Sequence, residues 1–420
     1  IGSAYNYRAV VYMQLGQYSE AMTELEQVIT LSSDDSSTTA QAYALQGLIH
    51  NEAGQYPEAI AAFDKAIDID PKNVDVVDVV LSGYIAQGAA LVELGQYAEA
   101  IAAFDKAIDT DPKNIDALVF AHVGRGNALG GLGQYAEAIA AFDQAIHLNF
   151  SNSLAHHNRG EVLLILNQFQ EALEAFDQSI QINQAWGSLN IGSAYNYRGS
   201  IYLILENYQE ALKNFEQALA LNIENISVNA YRGKGFTYIE LGEFDDALDN
   251  FNQVLELTPE DANAYIGRGN AFSGIGELQK ALTDYDQAIS ISPNYSAAYY
   301  RRGAAHSKSG DWETAIDDFT WAIQGDQNWG AFLSIETAYN QRGMAYVELG
   351  QFQEAISDYS QALTLDSQDS MAYSNRGSLY RLMGRFDDAI ADLSRALELA
   401  PGTAWMEEEL EKARQGISED

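Results

Sequence analysis

The chain has 420 residues, 47% of them hydrophobic, and its 60 Asp and Glu against 23 Lys and Arg give a net charge of -37. So large an acidic excess repels nucleic-acid phosphates, and the apolar content with only six prolines excludes a disordered or collagen-like chain. The absence of cysteine removes disulfides, thiolate metal sites and cysteine nucleophiles, which fits a reducing, cytoplasmic compartment, and no apolar run approaching about 20 residues or signal-like opening predicts a membrane insertion.

Taken in chain order, one unit recurs eleven times. Its turn reads LGQYSEA from Leu15, AGQYPEA from Ala53, LGQYAEA from Leu94 and again from Leu132, LNQFQEA from Leu166, LENYQEA from Leu205, LGEFDDA from Leu241, IGELQKA from Ile275, SGDWETA from Ser309, LGQFQEA from Leu349 and MGRFDDA from Met383. The second residue of the turn marks positions 16, 54, 95, 133, 167, 206, 242, 276, 310, 350 and 384; four of the ten intervals are 34 residues and the other six are 36 to 41. The added residues fall between the second helix of one unit and the first helix of the next, and most amount to one or two helical turns.

Each unit predicts two helices. The first carries an aromatic, then Arg-Gly, then another aromatic in one stripe, as in Tyr195, Arg198, Gly199 and Tyr202. The second places Ala, Ile, Phe, Ala and Ile at helical spacing, as in Ala138, Ile139, Phe142, Ala145 and Ile146. The first Ala of that stripe occurs in every unit, where a methyl lets two helices approach closely. Pro71, Pro112, Pro259, Pro293 and Pro401 follow second helices, which they cannot continue.

These residues resemble the tetratricopeptide repeat family, in a long prokaryotic-type array covering Ala4 to about Pro401. The resemblance implies an all-α, right-handed superhelical solenoid of antiparallel helix pairs. Residues 1–400 would form eleven repeats, with sub-blocks 1–183 and 184–400, and residues 401–420 a C-terminal capping helix and tail whose charged outer face meets water. Residues Ile1 to Arg8 recur identically as Ile191 to Arg198, so the start reads as cut from a longer array, whereas the charged helix at Trp405 to Gln415 makes the C-terminus read as genuine.

One departure from the family pattern is a basic residue where the packing stripe usually holds Leu: Arg8, Arg125, Arg159, Arg198, Arg268, Arg302, Arg342, Arg376 and Lys234. A cation there needs a partner. Second helices offer Asp64, Asp105, Asp143 and Asp177 one residue after the aromatic and Asp318, Asp358 and Asp392 one residue before it. The expectation is a structural ladder of ion pairs, with Gln46 and Gln87 as neutral substitutes.

Catalytic and cofactor chemistry finds no support. His50, His122, His156 and His306 occupy aromatic slots, and His157 points away from His156, so no metal site is expected. The Gly-rich stretches 124–133 and 267–276 follow no strand and consist largely of repeat glycines. Acid pairs such as Asp317-Asp318 have no nucleophile or oxyanion donor beside them.

Function is expected on the other face of the first helices, which in this family lines a concave groove. The slots one, five and eight residues after the aromatic give Asn6, Ile85, Val92, Val123, Asn127, Leu164, Asn196, Leu203, Arg232, Phe236, Ile239, Asn270 and Asn340. Apolar pockets interspersed with amides suit an extended or helical protein segment. The basic residues do not reproduce the family's pattern for gripping chaperone C-terminal carboxylates. Trp186 and Trp329, each followed by Gly in a long connection, plug an inserted turn or anchor a partner. The reading is a non-enzymatic, cofactor-free scaffold for a protein or peptide partner. The alternatives are a sensor or substrate-recognition arm of a larger enzyme or ATPase, and an architectural, self-associating spacer.

Overall fold

The computed structural model describes residues 2–32, 35–183, 188–329 and 333–418. Among them are 23 α-helices and no strand. First helices of the repeats are α1 (Gly2–Gln14), α3 (Ser36–Glu52), α5 (Val74–Glu93), α7 (Ile115–Gly131), α9 (Ser153–Ile165), α11 (Ser188–Ile204), α13 (Glu224–Leu241), α15 (Ala262–Gly274), α17 (Ser296–Lys308), α19 (Ile335–Glu348) and α21 (Ser370–Leu382). Second helices are α2 (Tyr18–Leu31), α4 (Tyr56–Ile69), α6 (Tyr97–Thr110), α8 (Tyr135–Leu148), α10 (Phe169–Asn183), α12 (Tyr208–Leu219), α14 (Phe244–Leu257), α16 (Leu278–Ile291), α18 (Trp312–Gln324), α20 (Phe352–Leu365) and α22 (Phe386–Leu399), and α23 (Ala404–Arg414) follows. The chain forms two compact units, Ile1–Glu206 and Asn207–Asp420, and within each unit consecutive helices pack in sequence order as a helical-hairpin solenoid.

Local sequence accounts for where these helices begin and end. Asn114, Asn152, Asp261 and Asp369 cap first helices by accepting the backbone N–H of the residue three places on, at 3.2, 2.8, 2.9 and 2.9 Å. The turn between the two helices of a repeat needs one left-handed residue, with φ between 56° and 84° in all eleven repeats. Nine repeats supply Gly there; Asn167 and Glu206 adopt the conformation without it.

Packing explains the small residues. All eleven leading alanines of the second helices, such as Ala138 and Ala315, are fully buried. The Gly after the ladder Arg receives the aromatic ring of its own second helix: a Cβ on Gly126 would lie 2.5 Å from the Phe142 ring. Gly and aromatic are therefore one complementary pair.

Helix α5 is a correction to the sequence reading. It is apolar and long enough to cross a membrane by length and composition. Its Val76, Val80, Leu81, Tyr84 and Leu91 are instead spent in a core cluster with α3, α4 and α6, where a lengthened first helix meets more neighbours than one face requires.

Every basic residue of the stripe finds an acid. Arg125 reaches Asp105 (2.7 Å), Arg159 reaches Asp143 (2.7 Å) and Arg198 reaches Asp177 (2.8 Å), each acid belonging to the preceding repeat. In the second unit Arg268 meets Asp284 (2.8 Å), Arg302 meets Asp318 (2.6 Å), Arg342 meets Asp358 (2.7 Å) and Arg376 meets Asp392 (2.7 Å), each within its own repeat. The position of the acid decides the direction. An acid one residue before the aromatic faces its own first helix, and one residue after faces the next repeat, because neighbouring helical positions diverge by about 100°.

Arg302 shows both directions, taking Asp318 before Phe319 and Asp286 after Tyr285 (2.6 Å). Glu24, Glu216 and Asp284 complete the set by pairing Arg8, Lys234 and Arg268, and the sequence reading had not assigned them. Asp64 corrects it differently. Its expected partner position holds Gln87, which donates to the Tyr56 carbonyl, and Asp64 accepts instead from the Tyr84 hydroxyl (2.7 Å) and Lys106 (2.6 Å).

Candidate functional site

The thirteen residues expected on the groove side of the first helices divide into three groups. Val123, in α7, is buried in a core cluster, and Asn6, Asn196 and Asn340 are also buried. Those four present little surface to a partner. Ile85, Val92, Leu164, Phe236 and Ile239 are half-buried, each packed against the core of its own unit with part of its side chain exposed, and Leu203 is half-buried as well.

Four of the polar members are committed to neighbouring repeats. Asn6 donates to the Thr38 carbonyl (3.1 Å), Asn340 donates to Asp369 (2.6 Å), Asn127 accepts from Asn158 (2.7 Å) and Arg232 donates to Asp261 (3.0 Å). Asn270 accepts from the Tyr285 hydroxyl of its own repeat (2.9 Å). The physical reason is close approach: successive first helices lie side by side, and a short amide at that slot reaches the next one. The amides Asn6 and Asn340 still carry an Oδ1 that accepts no hydrogen bond.

Among the groove-slot residues, the half-buried apolar side chains are therefore Ile85, Val92, Leu164 and Leu203 in the first unit and Phe236 and Ile239 in the second. The same slot rule reaches Met344, five residues after Tyr339, which is 45% exposed and was passed over in the sequence reading.

Histidines behave as packing residues. His156 and His157 are both buried; His156 contacts the Phe150 carbonyl (3.1 Å), and His157 meets Phe176 edge-on with ring centroids 5.5 Å apart. Burial holds His122 and His156 below the ordinary imidazole range. Tyr197 stacks on Phe176 at 5.2 Å, and its hydroxyl is pushed up by burial and by Glu161. Burial pushes Glu161 up, but hydrogen bonds from His157 and Tyr197 outweigh it and keep the carboxylate ionised. Among the described residues no group of His, Asp and Glu is arranged to hold a metal ion.

Trp329 is partly buried against the core around Tyr300 and Phe319, and its indole N–H donates to Gln327 (3.2 Å), so it plugs the connection; Trp186 lies outside the described residues.

Comparison with known proteins agrees with this architecture. Tetratricopeptide repeat family models match residues 1–72 and 151–224, 119–152, and 340–404, and a TPR repeat model matches 88–119, 235–276 and 274–310. No curated protein matches the chain in sequence. Among solved structures, a tetratricopeptide repeat protein from Parabacteroides merdae is 22% identical with TM-score 0.51, covering 63% of this chain and 98% of its own. Yeast Tom70 is 14% identical with TM-score 0.52, covering 99% and 95%, and the APC/C hetero-tetramer Cut9–Hcn1 is 14% identical with TM-score 0.50, covering 98% and 90%. With its repeat matched along most of its length and the hairpin geometry to go with it, the chain belongs to the tetratricopeptide repeat family.

Proposed function

We propose that the chain is a non-catalytic scaffold that holds a protein or peptide segment against the free face of its first helices. The observation carrying this reading is that Leu164 and Leu203 in one unit and Phe236 and Ile239 in the other are only half-buried on the first helices, leaving apolar surface exposed. A segment docked there would bury that surface. The Cut9–Hcn1 assembly, a similar fold, is a hetero-tetramer and supports the same use of the architecture. The uncompensated acid further favours a partner with basic or neutral character.

The test is affinity capture with the intact chain and with Leu203→Asp/Ile239→Asp, identifying bound proteins by mass spectrometry. A protein retained by the first and lost by the second supports the reading. Equal recovery on both moves binding to another face.

A further inference from the structure

The second helices carry an exposed aromatic that the repeat does not explain. Two residues after the core aromatic, this slot holds Gln in seven repeats, Lys65 and Lys106 in two, and Arg395 in one; in the ninth repeat it is Trp321. Packing does not demand an indole there, because Trp321 is 57% exposed.

The slot has a defined job elsewhere. Lys65 lies over the Tyr43 ring at 5.3 Å and Lys106 over Tyr84 at 5.8 Å, so in those repeats it places a cation on the tyrosine of the same repeat's first helix. Trp321 stacks on the equivalent Tyr299, ring centroids 6.1 Å apart and planes 25° from parallel. Tyr299 is fixed in turn by its hydroxyl bond to the Pro293 carbonyl (3.1 Å) and by the Arg302 guanidinium, 5.4 Å from its centroid. Tyr299 thus contacts both the Arg302 guanidinium and the Trp321 indole, and the indole remains largely exposed.

The nearby arginines Arg302 and Arg342 are both paired, so the unpaired charge near the indole is acidic. Asp317 and Glu313, one and two turns before Trp321 on α18, are exposed and belong to no ion pair among the described residues. Arg302 is already neutralised by Asp286 and Asp318.

We propose that Trp321 is a docking site for an arginine-bearing segment of a partner protein, whose guanidinium extends the stack on the indole while Asp317 supplies the counter-charge. The charge complementarity of a cation to an electron-rich ring edged by free carboxylates selects this occupant over an apolar one. The site lies on the second-helix side and does not depend on the groove reading above.

Calorimetric titration of the full chain with an octa-arginine peptide tests this, with octa-glutamine as the neutral probe. Trp321→Gln restores the residue common in this slot and leaves the net charge unchanged, so general attraction to the acidic surface cancels between the two proteins. The expected result is octa-arginine affinity about fivefold weaker for Trp321→Gln and weakened less for Trp321→Phe, with no binding of octa-glutamine. Equal octa-arginine affinity for wild type and Trp321→Gln overturns the proposal. Sedimentation supplies the other arm: a wild-type dimer that Trp321→Gln converts to monomer makes a second copy the occupant and also overturns it.

Discussion

At the scale of single residues, the ladder arginines differ in how strongly they are held. Arg342 and Asp358 are both largely shielded, with side chains 15% and 6% exposed, whereas the Arg125–Asp105 pair is open at 32% and 50%. Removing one partner of a shielded pair strands the other charge. Arg342→Ala should therefore lower stability by about 3 kcal/mol, and Arg342→Leu by less because it keeps the packing, whereas Arg125→Met should cost under about 1 kcal/mol, read from guanidinium unfolding midpoints. If both Arg342 variants leave the midpoint unchanged, the pair has no structural weight. Glu206 gives a prediction of opposite sign: it holds φ at 58° where nine other repeats use Gly, so Glu206→Gly should raise the thermal midpoint, by about 1 kcal/mol of stability. An unchanged or lower midpoint would show that this backbone conformation carries no strain. The basic members of the ladder were legible in the sequence because a cation recurs in an apolar stripe, whereas the acids Glu24, Glu216 and Asp284 were not assigned and Asp64 pairs outside it. The direction of each pair was not assigned, since it turns on a one-residue difference in helical phase that only the packed neighbours make consequential.

At the scale of the helix pair, the leading Ala and the Gly-aromatic couple set the distance between helices. Ala138→Leu would force α7 and α8 apart and should cost about 1 to 3 kcal/mol. Gly126→Ala should be destabilising alone, because its methyl meets the Phe142 ring, and partly rescued by adding Phe142→Leu, which shortens the opposing group. A purely additive double mutant would show that the two residues do not share one contact. Titration belongs to this scale too. His122 and His156, packed between helices, have folded-state pKa values below the unfolded value, so the unfolded chain binds their protons more readily. Their contribution is complete above about pH 6.5 and is lost as pH falls through the unfolded pKa toward the lower folded one. His122→Tyr/His156→Tyr should thus shrink the fall in thermal midpoint between pH 7.5 and 5.5. Repeat boundaries and helix pairs were readable from the turn and the two stripes. The asparagines of the groove were assigned by slot alone, and their bonds to the next first helix depend on how closely successive helices approach.

At the scale of the whole molecule, stability in a repeat array is a sum of what each repeat does alone and what it does with its neighbours. Composition gave the acidity and the repeat's resemblance implied the all-α fold, but the sequence reading misjudged α5, whose apolar residues serve the interior of the first unit. The direction of the ion pairs also bears on how the array can be edited. The eighth to eleventh repeats each carry the main counter-ion of their own arginine, as Arg268 does in Asp284 and Arg376 in Asp392, so each is a nearly self-neutral cassette, whereas Lys234 of the seventh pairs with Glu216 of the sixth. In the first unit Arg8 keeps Glu24 within its own repeat, but the third to fifth repeats give their carboxylates forward, Asp105 to Arg125, Asp143 to Arg159 and Asp177 to Arg198. Excising or duplicating a cassette of the second unit leaves each arginine its main counter-ion, while the same edit in the first unit can seat an arginine beside a repeat with nothing to lend it. Growth and loss of repeats is thus chemically easier in one unit than in the other.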